Sequence, residues 1–143
     1  MIIRSLKKED IPFLVSAKDF GFADAWDERM LESAFESCRF FGFIAEDNSR
    51  KLGCITLDKG MDDADIEEVF VLPEVRRKGI AKELILKAIA FLKEQKIDRV
   101  LLEVREGNTP ARKLYERCGF SEINRRKKYY SDGENAVIYL KEI

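Results

Sequence analysis

The 143-residue chain contains no histidine. This absence excludes Ser-His-Asp and Cys-His sites and removes the commonest general base, so acid–base chemistry must use carboxylates, tyrosine, lysine, cysteine or water. Cysteine is also scarce, because Cys38, Cys54 and Cys118 are odd in number and far apart. We therefore expect neither a disulfide framework nor a zinc cluster, and no metal.

An excess of either charge is missing too. The 26 basic and 27 acidic side chains leave a formal net charge of −1, so we expect no direct nucleic-acid binding and only local anion sites. No apolar run is long enough for a membrane span, and the N-terminal residues do not resemble an export signal. We expect a cytoplasmic protein without membrane contact, folded as one domain over residues 1–143.

Hydrophobic periodicity and turn residues predict the order strand, two helices, three strands, helix, strand, helix, two strands. Asp10 is the expected N-cap of the first helix, which ends near Lys18. The second helix, capped by Asp27 or an earlier residue, has a row of apolar side chains on one face: Met30, Leu31, Ala34, Phe35 and Cys38. We predict strands over residues 1–6, 40–46, 52–57, 99–105, 120–126 and 136–141, and one more that ends at Leu72.

These elements predict a mixed α/β (α+β) fold. The turns at residues 47–50 and 58–63 favour antiparallel hairpins in the first half, whereas the strand-helix-strand crossover from Val69 to Val104 favours a parallel pair. We expect a three-layer αβα domain in which helices cover both faces of a mixed sheet of about six to seven strands.

The segment Val69–Ala81 combines an apolar strand, a proline, three cations, Gly79 and the start of a helix. Backbone N–H groups in the first turn of a helix have no intrahelical partner and attract anions, and a glycine lets a phosphate approach the backbone closely. The glycines of a Walker loop or a dinucleotide fingerprint are missing. The segment is therefore either a phosphate cradle or a solvated basic loop.

Candidate catalytic groups follow on the next strand and helix. Glu103 lies within the apolar run 100–104, which is typical of a strand buried on both faces. It is either a strand-end acid held by Arg105 or a backbone N–H, or a general base in a cleft. Tyr115 shares a helical face with apolar residues, so it is either a core tyrosine or a general acid, and Asn108 is at least a helix cap.

Together these residues resemble the GNAT superfamily of acyl-CoA-dependent N-acetyltransferases. Its pyrophosphate motif corresponds to Arg76-Arg77-Lys78-Gly79-Ile80-Ala81. Residues 102–105, 108, 111, 114–116 and 118–120 look like the RimI-type branch, the ribosomal-protein alanine N-acetyltransferases. So do the segments 25–28, 125–130 and 134–136, with Asn135 where that branch has Asp.

The resemblance implies acetyl-CoA as co-substrate. Its cofactor-binding positions would be Val69, Phe70, Val71, Arg76, Arg77, Lys78, Gly79, Ile80, Ala81 and Asn108. Glu103 would deprotonate the incoming amine and Tyr115 would protonate the departing thiolate, with direct attack and no acyl-enzyme.

The resemblance also implies a protein or peptide N-terminus as acceptor, with a ribosomal protein among the candidates. The acceptor would lie between the Phe22–Trp26 loop and a hairpin that carries Tyr129 and Tyr130. The enzyme would act as a monomer or homodimer. Two alternatives stay open: an N-acetyltransferase for a polyamine, amino acid or other small amine, and an acyl-CoA-binding sensor without turnover.

Overall fold

The computed structural model describes residues 1–21 and 24–143. Its strands are β1 (Ile2–Ser5), β2 (Phe40–Asp47), β3 (Arg50–Lys59), β4 (Asp63–Val71), β5 (Arg99–Arg105), β6 (Ser121–Arg126) and β7 (Ala136–Glu142). Its α-helices are α1 (Ile11–Val15), α2 (Glu28–Phe35), α3 (Ile80–Glu94) and α4 (Thr109–Arg117). Short 3-10 helices cover Lys8–Asp10, Ser16–Phe20 and Pro73–Val75.

The strands form one mixed sheet in the order β1-β2-β3-β4-β5-β7-β6. Strands β4 and β5 pair in parallel, and the other described pairs are antiparallel. The crossover through α3 therefore makes the parallel pair that the sequence predicts.

The two faces of the sheet carry separate apolar clusters. On one face, Leu84 and Ile85 of α3 and Tyr115 of α4 pack against the strands. On the other face, Leu14 of α1 and Leu31 of α2 pack with Phe70 of β4. The predicted three-layer αβα fold is confirmed.

Strand β4 contains a bulge. Glu68 lies opposite Thr56 of β3 and Ile66 lies opposite Leu57, so that Glu67 has no β3 partner in the ladder. Ile66 and, beyond the bulge, Val69 pack in the α3 cluster. The extra residue leaves Glu67 and Glu68 on the opposite face, where α1 and α2 pack.

The parallel ladder between β4 and β5 is short. It runs from Asp63↔Arg99 to Ile66↔Leu102 and ends there. The remainder of β5 pairs with β7, while the end of β4 stays paired with β3. The sheet therefore opens between residues 67–71 of β4 and residues 103–105 of β5.

The first helix is shorter than predicted, and Asp10 does not cap it through its side chain. The Asp10 carboxylate is 2% exposed and accepts hydrogen bonds from Arg4 Nη1 and Nη2 at 2.9 Å and from the backbone N–H of Lys7 at 2.8 Å. Lys51 Nζ lies 2.8 Å from it. Asp10 therefore joins the helical segment to β1 and β3, a long-range role that local cap rules do not predict.

Two further expectations were wrong. Helix α2 ends at Phe35, so that Cys38 lies beyond it and is exposed, and Met30 is also exposed; of the predicted apolar row, Leu31 is the fully buried member. Strand β5 is buried on one face only: Val100, Leu102 and Val104 are buried, whereas Glu103 is exposed on the other face. The apolar run of β5 predicted burial on both faces, but Leu101, on the same face as Glu103, is only half-buried.

Candidate active site

The predicted cradle is a tight turn between β4 and α3. Arg76 Nε donates a hydrogen bond to the Val71 carbonyl at 2.9 Å, which fixes the turn to the end of β4. Arg77 and Gly79 have left-handed backbone conformations, with φ of 64° and 81°, and α3 begins at Ile80. A Cβ added to Gly79 would meet nothing within 4 Å, so the space beside the first turn of α3 is open. The predicted strand-turn-helix is confirmed, and the first-turn N–H groups are available to an anion.

The cradle directly follows the part of β4 that has separated from β5. Phe70 lies there, but its side chain is fully buried and its ring centroid is 5.8 Å from that of Phe13. Only the backbone of Phe70 can therefore take part in the cofactor site that the sequence predicts. Val69 and Val71 point to the α3 face, where they pack in the apolar cluster.

Glu103 lies on β5 at the same opening. Its side chain is 35% exposed, and its Oε1 lies 3.9 Å from Nη1 of Arg126 on β6. The hydroxyl of Tyr129 lies beside the Glu103 carboxylate, which raises the pKa of Tyr129. The alternative in which Arg105 holds Glu103 was wrong, because the Arg105 guanidinium binds other carboxylates.

A group of carboxylates continues from Glu103 across the sheet. Partial burial, together with the charges of Asp65, Asp58 and Glu103, raises the pKa of Glu67 to about 7. Burial also raises the pKa of Asp65. Oxygens of Asp58, Asp65 and Glu67 lie within 4.8 Å of one another, and Asp58 is bound by Arg39 at 2.9 and 3.1 Å. The expectation that the protein needs no metal stays a prediction.

Glu68 is the more deeply buried neighbour of Glu67. Burial raises its pKa to about 7, and the nearby backbone N–H of Trp26 offsets part of that rise. Among the described residues, its Oε1 is buried without a hydrogen-bond partner. The buried carboxylate thus lies between β4 and the segment before α2.

Tyr115 is buried on the α3 face of the sheet, with 8% of its surface exposed. Its ring centroid lies 6.0 Å from that of Phe120, in an edge-on arrangement, and 6.4 Å from that of Tyr139, with the rings tilted by 49°. Burial raises the pKa of Tyr115, so its phenol stays protonated at neutral pH. A neutral phenol is the form that a general acid requires.

Asn108 caps α4, as its sequence position predicts. Its Oδ1 accepts a hydrogen bond from the Ala111 N–H at 3.3 Å, and Pro110 occupies the first turn. Asn108 is exposed, and its predicted contact with the pantetheine arm of the cofactor stays a prediction.

The hairpin between β6 and β7 brings both predicted tyrosines to the site. Their rings meet edge to face at 5.1 Å, with an interplanar angle of 89°. Arg126 lies 5.5 Å from the ring of Tyr129, and Arg105 lies 4.1 Å from the ring of Tyr130. Tyr129 thus contacts Glu103, and Tyr130 contacts the end of β5.

Of the predicted acceptor loop, Phe22 lies outside the described residues. Trp26 is half-buried, and its indole stacks on Phe40 at 6.1 Å, on the α2 side of the sheet. The part of Trp26 that reaches β4 is its backbone, through Glu68. Asp24, in the same loop, binds Arg105 at 2.8 and 3.0 Å.

The model of the Acetyltransferase (GNAT) family matches residues 4–120, which contain the cradle, Glu103 and Tyr115. The chain belongs to the GNAT acetyltransferase family. It is therefore an N-acetyltransferase, as the sequence predicts.

Similar proteins place the chain near one branch of the GNAT family. A putative ribosomal protein bS18-alanine N-acetyltransferase of Bacillus subtilis is 30% identical over 95% of this chain and 91% of its own length. The crystal structure of the Escherichia coli ribosomal-protein-S18-alanine N-acetyltransferase has a TM-score of 0.91 at 29% identity, over 99% of this chain and 93% of that one. The resemblance to the RimI type is confirmed.

A third neighbour shares the GNAT fold with a bound donor. Arabidopsis thaliana NAA60 in complex with acetyl-CoA has a TM-score of 0.87 at 18% identity, over 99% of this chain and 98% of that one.

Among the described residues, no helix is long and apolar enough to cross a membrane.

Several site residues were not predicted from the sequence. Arg105 was considered as a partner that holds Glu103 and as part of the RimI-like segment 102–105, and Glu134 only as part of the segment 134–136. Asp24, Glu67 and Glu68 were not singled out. Arg105 and Asp24 are 81 positions apart, so no local spacing connects them. The available signals were strand alternation, which places Arg105 on the same face as Glu103, and the RimI-like segments that contain Arg105 and Glu134.

Proposed function

We propose that this GNAT enzyme transfers the acetyl group of acetyl-CoA to the N-terminal α-amine of a protein. The observation that carries the proposal is the position of Glu103 against the β6–β7 hairpin: its Oε1 lies 3.9 Å from Arg126 Nη1, and its carboxylate lies beside the Tyr129 hydroxyl. Glu103 and Tyr129 lie where β4 and β5 separate, next to the cradle.

The donor half of the site follows from the cradle. The backbone N–H groups of residues 77–81 would bind the pyrophosphate of acetyl-CoA, with Arg76, Arg77 and Lys78 supplying positive charge. The pantetheine arm would lie along the backbone of Val69–Val71, beyond the point where the short parallel ladder with β5 ends.

The chemistry is a direct transfer. The amine nitrogen attacks the thioester carbonyl carbon, the C–S bond breaks, and the amine loses a proton to Glu103, directly or through water. Tyr115 gives its proton to the departing thiolate. An α-amine suits this site because its pKa of about 7.7–8.0 leaves a sizeable neutral fraction at neutral pH, against about 10.4 for a lysine side chain, which is almost fully protonated there.

The names of the similar enzymes favour a protein acceptor. The Bacillus subtilis and Escherichia coli proteins are named for the alanine of ribosomal protein bS18. A ribosomal protein with an N-terminal alanine is therefore the first acceptor to test. The proposal also takes residues 1–143 as one catalytic domain that is cytoplasmic, metal-free, and a monomer or homodimer.

The test measures CoA thiol release from acetyl-CoA with two sets of acceptors. One set contains peptides that differ in their first residue, including alanine, and the other contains polyamines and free amino acids. We expect release with a subset of the peptides. Release with small amines alone would make the enzyme a small-molecule acetyltransferase, and CoA binding without turnover on any amine would make it a sensor.

A further inference from the structure

The guanidinium of Arg105 joins the two segments that flank the candidate acceptor site. Its Nε and Nη2 donate to both carboxylate oxygens of Asp24, at 2.8 and 3.0 Å. Its Nη1 donates to Asp132 at 2.8 Å and to Glu134 at 2.9 Å. One side chain at the end of β5 therefore binds the loop before α2 and the turn between β6 and β7.

Two further contacts fix this arrangement. The Arg105 guanidinium lies 4.1 Å from the ring of Tyr130, and the second oxygen of Glu134 accepts the Gly107 N–H at 2.9 Å. The contacts use the planar shape and the several donors of an arginine, which a lysine does not have.

These ion pairs restrict the relative position of the two segments more than they stabilise the fold. The Asp24 and Asp132 side chains are 54% and 61% exposed, and exposed pairs contribute little to folding free energy. Arg105 itself is 22% exposed, because the two segments close around it. A bidentate contact between distant segments still restricts their relative position.

We propose that Arg105 is a positioning residue that fixes the two walls of the acceptor site, the loop before α2 and the β6–β7 turn, relative to each other. The inference rests on the proposed transfer to an α-amine. Without Arg105 the walls separate, the acceptor binds weakly, and the donor half of the site stays intact.

The test compares Arg105→Lys with Arg99→Lys. Arg99 begins the same strand and binds Asp63 at 2.9 and 3.1 Å, but it lies at the other end of β5, away from the site. We expect Arg105→Lys to raise the peptide KM about tenfold or more, because the acceptor must then order two walls that Arg105 no longer fixes. In Arg105→Lys we expect the acetyl-CoA KM and the thermal midpoint to stay near the wild-type values. Arg99→Lys should change neither the peptide KM nor the acetyl-CoA KM.

The only tryptophan of the chain, Trp26, reports on the wall that carries Asp24. We expect Arg105→Lys and Asp24→Asn each to increase the quenching of Trp26 fluorescence by acrylamide, and the double variant to show little further increase. Arg99→Lys leaves the quenching unchanged. This measurement needs no substrate, so it tests Arg105 even where the proposed acceptor is wrong.

The outcomes separate the two proposals. Peptide turnover by the wild type with an unchanged KM in Arg105→Lys overturns the positioning role and leaves the proposed function standing. A higher KM without altered Trp26 quenching also overturns it, because Arg105 would then contact the acceptor itself. If the wild type turns over no peptide while Arg105→Lys still increases the quenching of Trp26, the proposed α-amine acceptor is wrong and the positioning role of Arg105 is supported.

Discussion

The carboxylate of Glu68, beside the bulge of β4, lies close to the backbone N–H of Trp26, which lowers the pKa of Glu68 against the larger raising effect of burial. The contact brings the loop before α2 next to the strand that would hold the donor. It does so through a carboxylate whose Oε1 is buried and, among the described residues, has no hydrogen-bond partner. A buried carboxylate in this environment destabilises the fold once it ionises.

Glu68→Gln is therefore expected to stabilise the protein in a pH-dependent way. The folded state raises the pKa of Glu68 to about 7. The free energy of unfolding of the wild-type protein therefore falls as pH rises from the pKa of Glu68 in the unfolded chain through 7. Glutamine keeps an oxygen for the Trp26 N–H and does not ionise. The gain at pH 8 should be on the order of 3 kcal/mol, and it should be small at pH 4.

Denaturant unfolding of both proteins at pH 4, 6 and 8 measures this difference. Other titrating groups are common to the two proteins and largely cancel. A gain that is the same at all three pH values would show that Glu68 ionises normally in the folded state.

Tyr115→Phe removes a hydroxyl and leaves the ring packed against Phe120 and Tyr139. If the phenol protonates the departing thiolate, kcat falls by about 100-fold while the acetyl-CoA KM stays near wild type. Steady-state kinetics with the best acceptor give both constants.

Tyr139→Phe is the matched control for this substitution. The Tyr139 hydroxyl accepts from Arg112 Nε at 3.1 Å and donates to Glu116 at 2.8 Å, so its loss should lower the thermal midpoint and leave kcat largely unchanged. An equal loss of kcat and acetyl-CoA affinity in Tyr115→Phe would assign Tyr115 a structural role.

Gly79→Ala tests the cradle. A Cβ at φ 81° costs about 1–2 kcal/mol of backbone strain and enters the open space beside the first turn of α3. We expect the acetyl-CoA KM to rise about tenfold, with little change in the acceptor KM. Fitting both constants from one matrix of concentrations measures the effect.

The control is Gly133→Ala in the β6–β7 turn, where φ is 88° and a Cβ would also meet nothing within 4 Å. It has similar backbone strain but lies away from the cradle. A similar rise in acetyl-CoA KM for both variants would mean that strain, and not the loss of cradle geometry, weakens the donor.

Local patterns predicted the parts of this enzyme whose chemistry is local. The cradle depends on a strand, a left-handed glycine and a helix start that are consecutive in the chain, and the Asn108 cap depends on positions three residues apart. The crossover through α3 likewise predicted the parallel strand pair.

Contacts between distant segments could not be predicted in this way. Asp10 has the local signature of a helix cap, but Arg4 and Lys51 bind it because the sheet places them beside it. The bulge places Glu67 and Glu68 consecutively on one face of β4, against strict alternation. The contacts of Arg105 depend on the fold, which places Asp24 and Glu134 beside its guanidinium.

The central claim is transfer to an α-amine, and one measurement tests it most directly. A peptide with an N-terminal alanine and an internal lysine is incubated with acetyl-CoA and enzyme, and fragment masses locate the acetyl group. The account predicts acetylation of the alanine nitrogen alone, abolished by blocking the N-terminus. Acetylation of the lysine, or none with this or any other free N-terminus while small amines are acetylated, would contradict it.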